Sequence, residues 1–294
     1  TAFRRQRLMC IRDRSCGALI PGLGVYSFFV IPNGIQVSGK IWLVGLGSGL
    51  FWAVGTAGQF IAYKKMGVSA AFPLSTAAQI VANARLAASI LGEWATVKIW
   101  AFGILSIALV TIGALAIAAR SKAEKRLSQA RPKSYGEGLL ALLASTIGFA
   151  LYFIFPNLLV KFGFISHHVR NANNGINYMT AMITPQAIGQ IIGSLIIALV
   201  ILHERQLFRL PTVKNFATGI NWAIGNLFMF ISAANPTIGQ ATATTLSQLG
   251  IIVGTFGGIY VLHEYKTADQ MVKIVAGTVL VIIGSILITN LKVL

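Results

Sequence analysis

The chain has 294 residues, of which 55% are hydrophobic and only 11% charged, against about 25% charged in an ordinary soluble domain, which excludes a cytosolic enzyme of usual composition. Its formal net charge is +17, but the excess lies between apolar runs and forms no basic stripe interleaved with aromatics, so nucleic-acid binding is set aside. Cys10 and Cys16 have neither metal-ligand nor redox spacing and point to no zinc site or disulfide framework.

The first fourteen positions hold five arginines, Arg4, Arg5, Arg7, Arg12 and Arg14. The apolar run at 16–32 follows. It carries Pro21 and Pro32 and lacks a clear small-residue cleavage site, so it reads as a membrane helix that stays in place rather than a signal peptide. A hydropathy window of about 19 residues then predicts spans at 41–63, 67–91, 98–119, 136–158, 178–202, 216–234, 239–262 and 271–290. Such lengths suffice to cross ~30 Å of hydrocarbon at 1.5 Å per residue. Between the fourth and fifth spans, residues 120–135 carry six basic side chains and read as a linker between halves. Residues 161–177, with four Asn and the pair His167 and His168, read as a long surface loop.

The two halves repeat. SGLFWAVG (48–55) matches TGINWAIG (218–225) at an offset of 170, with Trp52 over Trp222 and Gly55 over Gly225. GVSAAFPLS (67–75) then aligns with GQATATTLS (239–247), Glu93 with Glu264, and VTIGALAI (110–117) with VIIGSILI (281–288). Four blocks in order mark a duplication. The expected domains are a basic segment at 1–15, a first repeat of four helices at 16–119, the linker at 120–135 and a second repeat of five helices at 136–294.

The same offset places the counterpart of the 136–158 helix before Thr1, so a first helix is expected to be absent. Residues 1–15 are then either foreign sequence or a basic cytosolic arm. An odd number of helices per repeat makes the second copy enter the membrane from the opposite side, so the expected fold is an all-α polytopic membrane protein, an inverted-repeat 5+5 bundle with about nine helices in this sequence. By alternation, thirteen Lys and Arg fall on one side and five on the other, which places the linker in the cytoplasm and the C-terminus outside.

GLGSGLFWAVG is not a dinucleotide loop, because no strand precedes it and no βαβ unit surrounds it. Gly45/Gly49, Gly189/Gly193 and Gly254/Gly258 are instead small residues four apart, which let helix backbones approach closely in lipid.

WAVGTAGQF, MGVSAAFPLSTAAQ, LGEW, STIGF, PQAIG and the long stretch WAIGNLFMFISAANPTIGQATATTLSQLGIIVGTFGGIYVLHEYK resemble the glucose/ribose porter family of the drug/metabolite transporter superfamily, of the glucose uptake type, from about Gly17 to Lys292. That resemblance implies a ten-helix fold and sugar uptake coupled to protons, and it too leaves the first helix unaccounted for.

A sugar offers apolar ring faces and hydroxyl edges, so its site needs aromatic surfaces and groups that both donate and accept. Trp52, Gln59, Ser75, Thr76, Gln79 and Gln186 fit that description, as do Trp222, Asn226, Ser247 and Gln248 in the second repeat. Each amide has the alternative role of gluing helices together. Pro73 and Pro185 either kink their helices or mark discontinuous ones whose freed carbonyls face substrate. Arg85 falls inside the third span, where the family has an uncharged residue, and either snorkels or takes part in substrate binding or coupling. Glu93 and Glu264 close corresponding helices and are candidates for gating or proton coupling, with interfacial solvation or a structural hydrogen bond as the alternative.

The resulting expectation is a secondary sugar transporter in a bacterial cytoplasmic membrane, with a monosaccharide, protons and lipid as partners, no cofactor, no metal and no enzymatic chemistry. An exporter of drugs or metabolites is the alternative within the superfamily. A polytopic membrane enzyme would show acids, His or Cys clustered at chemical spacing, and the sequence has no such cluster.

Overall fold

A computed structural model describes residues 17–66, 68–117, 132–201, 213–235, 237–260 and 266–291. The basic segment 1–15, most of the expected linker and Glu264 lie outside the described residues. All regular structure among the described residues is helical. Its elements are α1 (Gly17–Val30), α2 (Gly39–Met66), α3 (Val68–Ser89), α4 (Val97–Ile117), α5 (Pro132–Lys161), α6 (His167–Asn171), α7 (Ile176–Ile196), α8 (Val213–Ala234), α9 (Gly239–Ser247), α10 (Gly250–Tyr260) and α11 (Ala268–Thr289). Among the described residues, five stretches are long and apolar enough to cross a membrane: Gly39–Met66, Val97–Ile117, Tyr135–Lys161, His167–Val200 and Ala268–Thr289. The chain is an all-α, multi-pass membrane protein.

Two expectations change, for the span at 239–262 and the loop at 161–177, and the alternatives left open at the prolines narrow to one. The apolar run at 239–262 is not one helix: it stops at Ser247 and resumes at Gly250. Through the break the backbone stays paired by tighter bonds, Gln248 N to Thr245 O at 3.1 Å and Ile251 N to Gln248 O at 3.1 Å, a 3₁₀-like turn of the kind that marks hinges. Conversely, α3 and α7 run unbroken through Pro73 and Pro185. The expected loop at 161–177 is partly helical, because Ser166 caps α6 by accepting from Val169 N. The chain then bends at Asn173 and Asn174, whose φ of 50° and 52° are left-handed values that Asn tolerates better than most residues.

Two compact units form, one of residues 1–57 and 147–239, the other of residues 58–146 and 240–294. Within the first, the paired glycines of α2 and α7 interlock. A Cβ on Gly45 would lie 2.6 Å from Pro185 Cβ, one on Gly49 2.2 Å from Gln186 O, and one on Gly189 2.3 Å from Leu46 O. No larger side chain fits at any of these points, so the four-residue glycine spacing is what lets the two backbones touch.

Within the second unit, α3, α4 and α11 share a core of Ile80, Val110, Ala114, Ile117 and Val281, joined by Ile251 of α10. Here α4 and α11, the carriers of the VTIGALAI and VIIGSILI repeats, pack on each other through glycine. A Cβ on Gly113 would meet Gly277 O at 2.6 Å, and one on Gly284 would meet Ser106 O at 2.8 Å. Gly113 near Gly277 and Ser106 near Gly284 mean that the two helices run antiparallel.

Candidate functional site

The expected site residues fall into two sets, one in each unit. In the first unit, α2 carries Trp52 and α8 carries Trp222, and their ring centroids lie 5.0 Å apart at 46°. Trp52 is 1% exposed, sealed in the interior. Trp222 and Asn226, one turn further along α8, are both half-buried and so keep reachable surface. The pair therefore has a supporting ring and a presenting ring, and an indole face is a good surface for the C–H face of a sugar.

Gln186 lies on α7 in the same unit and is 1% exposed. Its Nε2 donates to Ser48 Oγ at 2.8 Å, and Ser48 Oγ donates in turn to the Tyr152 carbonyl at 2.9 Å. This relay ties α7 to α2 and α2 to α5, so the amide N–H of Gln186 is committed to holding helices together.

In the second unit, Ser75 sits at the centre of a polar cluster. Gln59 Nε2 of α2 and Gln79 Nε2 of α3 both donate to Ser75 Oγ, each at 2.9 Å. Ser75, Thr76 and Gln79 are buried. Amides buried in an apolar helix are held by such partners or by a polar ligand. Ser247 lies at the end of α9, where its hydroxyl donates to Thr244 O at 2.7 Å, and Gln248 sits in the break before α10. Arg85 is exposed on α3, away from the buried Ser75 face.

Glu93 lies in the turn between α3 and α4. Its two carboxylate oxygens accept from Gln240 N at 2.6 Å and Ala241 N at 3.0 Å, at the start of α9. The first N–H groups of a helix have no i−4 carbonyl within it to bond, and the positive end of the helix dipole favours a carboxylate there. Nothing in the local sequence announces this contact, because the partners are almost 150 positions away.

Sequence reasoning passed over further buried amides, Asn83 and Gln190 among them. Asn83 is 2% exposed, and neither its Oδ1 nor its Nδ2 has a hydrogen-bond partner. Gln190 is also 2% exposed, and its Oε1 has none. The signal was available: Ser75, Gln79 and Asn83 recur every four residues along α3, and Gln186, Gln190 and Ser194 do the same along α7. Polar groups at helical spacing in an apolar run line one face. Among the described residues, no three His, Cys, Asp or Glu side chains come together in a way that could hold a metal ion.

Residues 10–291 match the family described as Sugar transport protein. The chain belongs to that family. Among its relatives, a Lactiplantibacillus plantarum protein named for sugar uptake is 37% identical over 276 residues, which is 94% of this chain and 87% of that one. The glucose uptake protein GlcU of Bacillus subtilis is 33% identical over 270 residues, 92% of this chain and 84% of that one. One solved crystal structure superposes with a TM-score of 0.56 at 13% identity, over 97% of this chain and 88% of the other, and shows the fold alone. For this sugar transport family member, the motifs that carried the resemblance contain Trp52, Gln59, Ser75, Gln79, Glu93, Gln186 and Trp222, the same side chains that make the contacts above.

Proposed function

We propose that the chain takes up a monosaccharide, glucose or a close relative, across a bacterial cytoplasmic membrane, as a proton-coupled secondary transporter working by alternating access. The observation that carries this reading is the contact between Trp52 and Trp222, equivalent residues of the two repeats that meet in one compact unit. A solute held there is contacted by both repeats. Trp222 supplies the apolar ring surface and Asn226 a carboxamide that both donates and accepts toward hydroxyls. Ser75, with the amides of Gln59 and Gln79, forms a second polar cluster of the same chemistry in the other unit. Family membership and the names of the Lactiplantibacillus and Bacillus relatives support sugar as the solute.

Glu93 is proposed as a gate. Its carboxylate fastens the α3–α4 turn to the start of α9, and α9 ends at the break before α10, so releasing the contact frees a short helix that already has a hinge at its far end.

The test is uptake by the chain in inverted and right-side-out vesicles loaded with labelled glucose, ribose or an amino acid, with and without an imposed proton gradient. Saturable glucose or ribose uptake that collapses with an uncoupler is the expected result. Amino-acid flux without sugar flux would replace the proposal with the exporter alternative, and sugar flux indifferent to the proton gradient would remove the coupling.

A further inference from the structure

Among the described residues of the second unit, Asn83 lacks a hydrogen-bond partner at both Oδ1 and Nδ2, and the hydroxyls of Thr245 and Ser285 lack one as well. Asn83 is 2% exposed, Thr245 1% and Ser285 5%, so solvent does not supply the missing partners. Buried polar groups are nearly always paired, and an unpaired one calls for a ligand or another specific cause. The Ser75 cluster differs in this respect. Gln59 and Gln79 both donate to Ser75 Oγ at 2.9 Å, so its members already bond one another.

The three unpaired side chains occupy one level of the unit. One apolar cluster contains Ile80 of α3, Val281 of α11 and Ile251 of α10, and a second contains Ala84 and Ala88 of α3 with Ile288 and Leu291. Ile107 of α4 packs against both, so the clusters abut. Asn83 falls between Ile80 and Ala84, and Ser285 between Val281 and Ile288. Thr242 Oγ1 donates to Ile288 O at 3.2 Å, and Thr245 follows one turn further along α9, before Ile251. Each of the three therefore lies where its own helix crosses the seam between the clusters.

We propose, resting on the sugar-uptake reading, that Asn83, Thr245 and Ser285 form a site for neighbouring hydroxyls of the sugar and so determine which hydroxyls the carrier demands. The chemistry selects the ligand. Asn83 has an idle donor and an idle acceptor, and each of the two hydroxyls can do both. A cation would leave the Asn83 N–H groups unmet, and an anion would leave its carbonyl unmet. A pair of adjacent sugar hydroxyls meets both edges of the carboxamide at once. Thr245 also ties the site to movement, because it lies on α9, which Glu93 fastens at Gln240 and Ala241 and which ends at the break before α10. The site is closed in this conformation, and displacement of α9 opens it.

The test is competition for labelled glucose uptake by the full chain in phosphatidylethanolamine/phosphatidylglycerol vesicles, using glucose and a set of monodeoxyglucoses that each lack one hydroxyl. With the unmodified chain, the analogues that lack a recognised hydroxyl should compete roughly tenfold less well than glucose. In Asn83→Leu, Thr245→Val and Ser285→Ala that gap should close to within about twofold, because glucose loses the same bond, while the other analogues keep their ratios. Thr245→Ser retains a hydroxyl and should retain the gap. A general weakening of the fold affects every sugar alike and leaves the ratios fixed. Val and Ala replace Thr and Ser at nearly the same volume, so these two variants report even where Asn83→Leu does not reach the membrane. Unchanged ratios in variants that still take up glucose would overturn the site, and unchanged ratios with a higher Tm would overturn it in favour of buried water. Absence of glucose uptake by the unmodified chain would remove the carrier reading, and this site with it.

Discussion

Trp52 and Trp222 stand 170 positions apart at equivalent places in two copies of one motif, and their rings touch with centroids 5.0 Å apart. Their burial is unequal: Trp52 is 1% exposed, whereas Trp222 keeps open surface. The two substitutions therefore have different consequences. Trp222→Ala should raise the KM for sugar uptake by roughly two- to tenfold, as expected for loss of about 0.5–1.5 kcal/mol of ring contact, with little change in protein abundance. Trp52→Ala empties a sealed interior position and should cost about 3–5 kcal/mol of stability, seen as a lower Tm in detergent and less protein in the membrane. Equal KM effects with no stability difference would contradict the supporting and presenting roles.

The glycine interlock makes a steric prediction. At Gly49 and Gly189 an added Cβ would sit 2.2 and 2.3 Å from backbone carbonyls of the opposing helix, whereas at Gly225 it would meet open space. Gly49→Ala and Gly189→Ala should each cost about 1–3 kcal/mol by forcing α2 and α7 apart. Gly225→Ala should be neutral or stabilising by a few tenths of a kcal/mol, since Ala favours helix over Gly. Thermal shifts of the three purified variants in one detergent decide the matter.

These contrasts also show how far the sequence could be read. Hydropathy pointed to an all-α membrane protein, because lipid forces apolar residues into runs of a set length, and five long apolar helices stand among the described residues. Gly45/Gly49 and Gly189/Gly193 were readable as contact points because a four-residue spacing keeps them on one helix face, and the structure seats one pair against the other. The break after Ser247 was not readable. Pro73 and Pro185 were the obvious candidates, yet α3 and α7 absorb them, and the break falls in a stretch with no proline, where Gln248 and Gly250 flank a tightened turn. The role of Glu93 was equally hidden, since its partners Gln240 and Ala241 come near only after folding. Asn83 could have been found by extending the Ser75 and Gln79 spacing one more turn.

Ser75 accepts from two amides at once, which makes its removal non-additive with theirs. Ser75→Ala leaves the Gln59 and Gln79 N–H groups without their shared acceptor, each at 2.9 Å in the intact protein. An orphaned buried donor costs about 1–3 kcal/mol, so Ser75→Ala should destabilise more than Gln79→Leu, which removes donor and demand together. In the double variant Ser75→Ala/Gln79→Leu, part of the loss should return. Additive Tm losses would show that the two groups do not interact.

The carboxylate of Glu93 makes two bonds to the start of α9, and the variants at this position separate its charge from its shape. Glu93→Ala removes both acceptors and leaves the Gln240 and Ala241 N–H groups to water, which for a helix N-terminus typically costs about 0.5–2 kcal/mol. Glu93→Gln retains one acceptor oxygen but loses the charge that favours the helix dipole, and should fall between Ala and wild type in Tm. If the contact also gates transport, both variants should accelerate exchange of sugar between the two sides of the membrane while weakening accumulation against a gradient, because a released α9 no longer holds one conformation closed. Counterflow and net accumulation measured on the same vesicles read these two effects separately. A Tm loss without any change in the ratio of exchange to accumulation would confine Glu93 to the structural role of a helix cap.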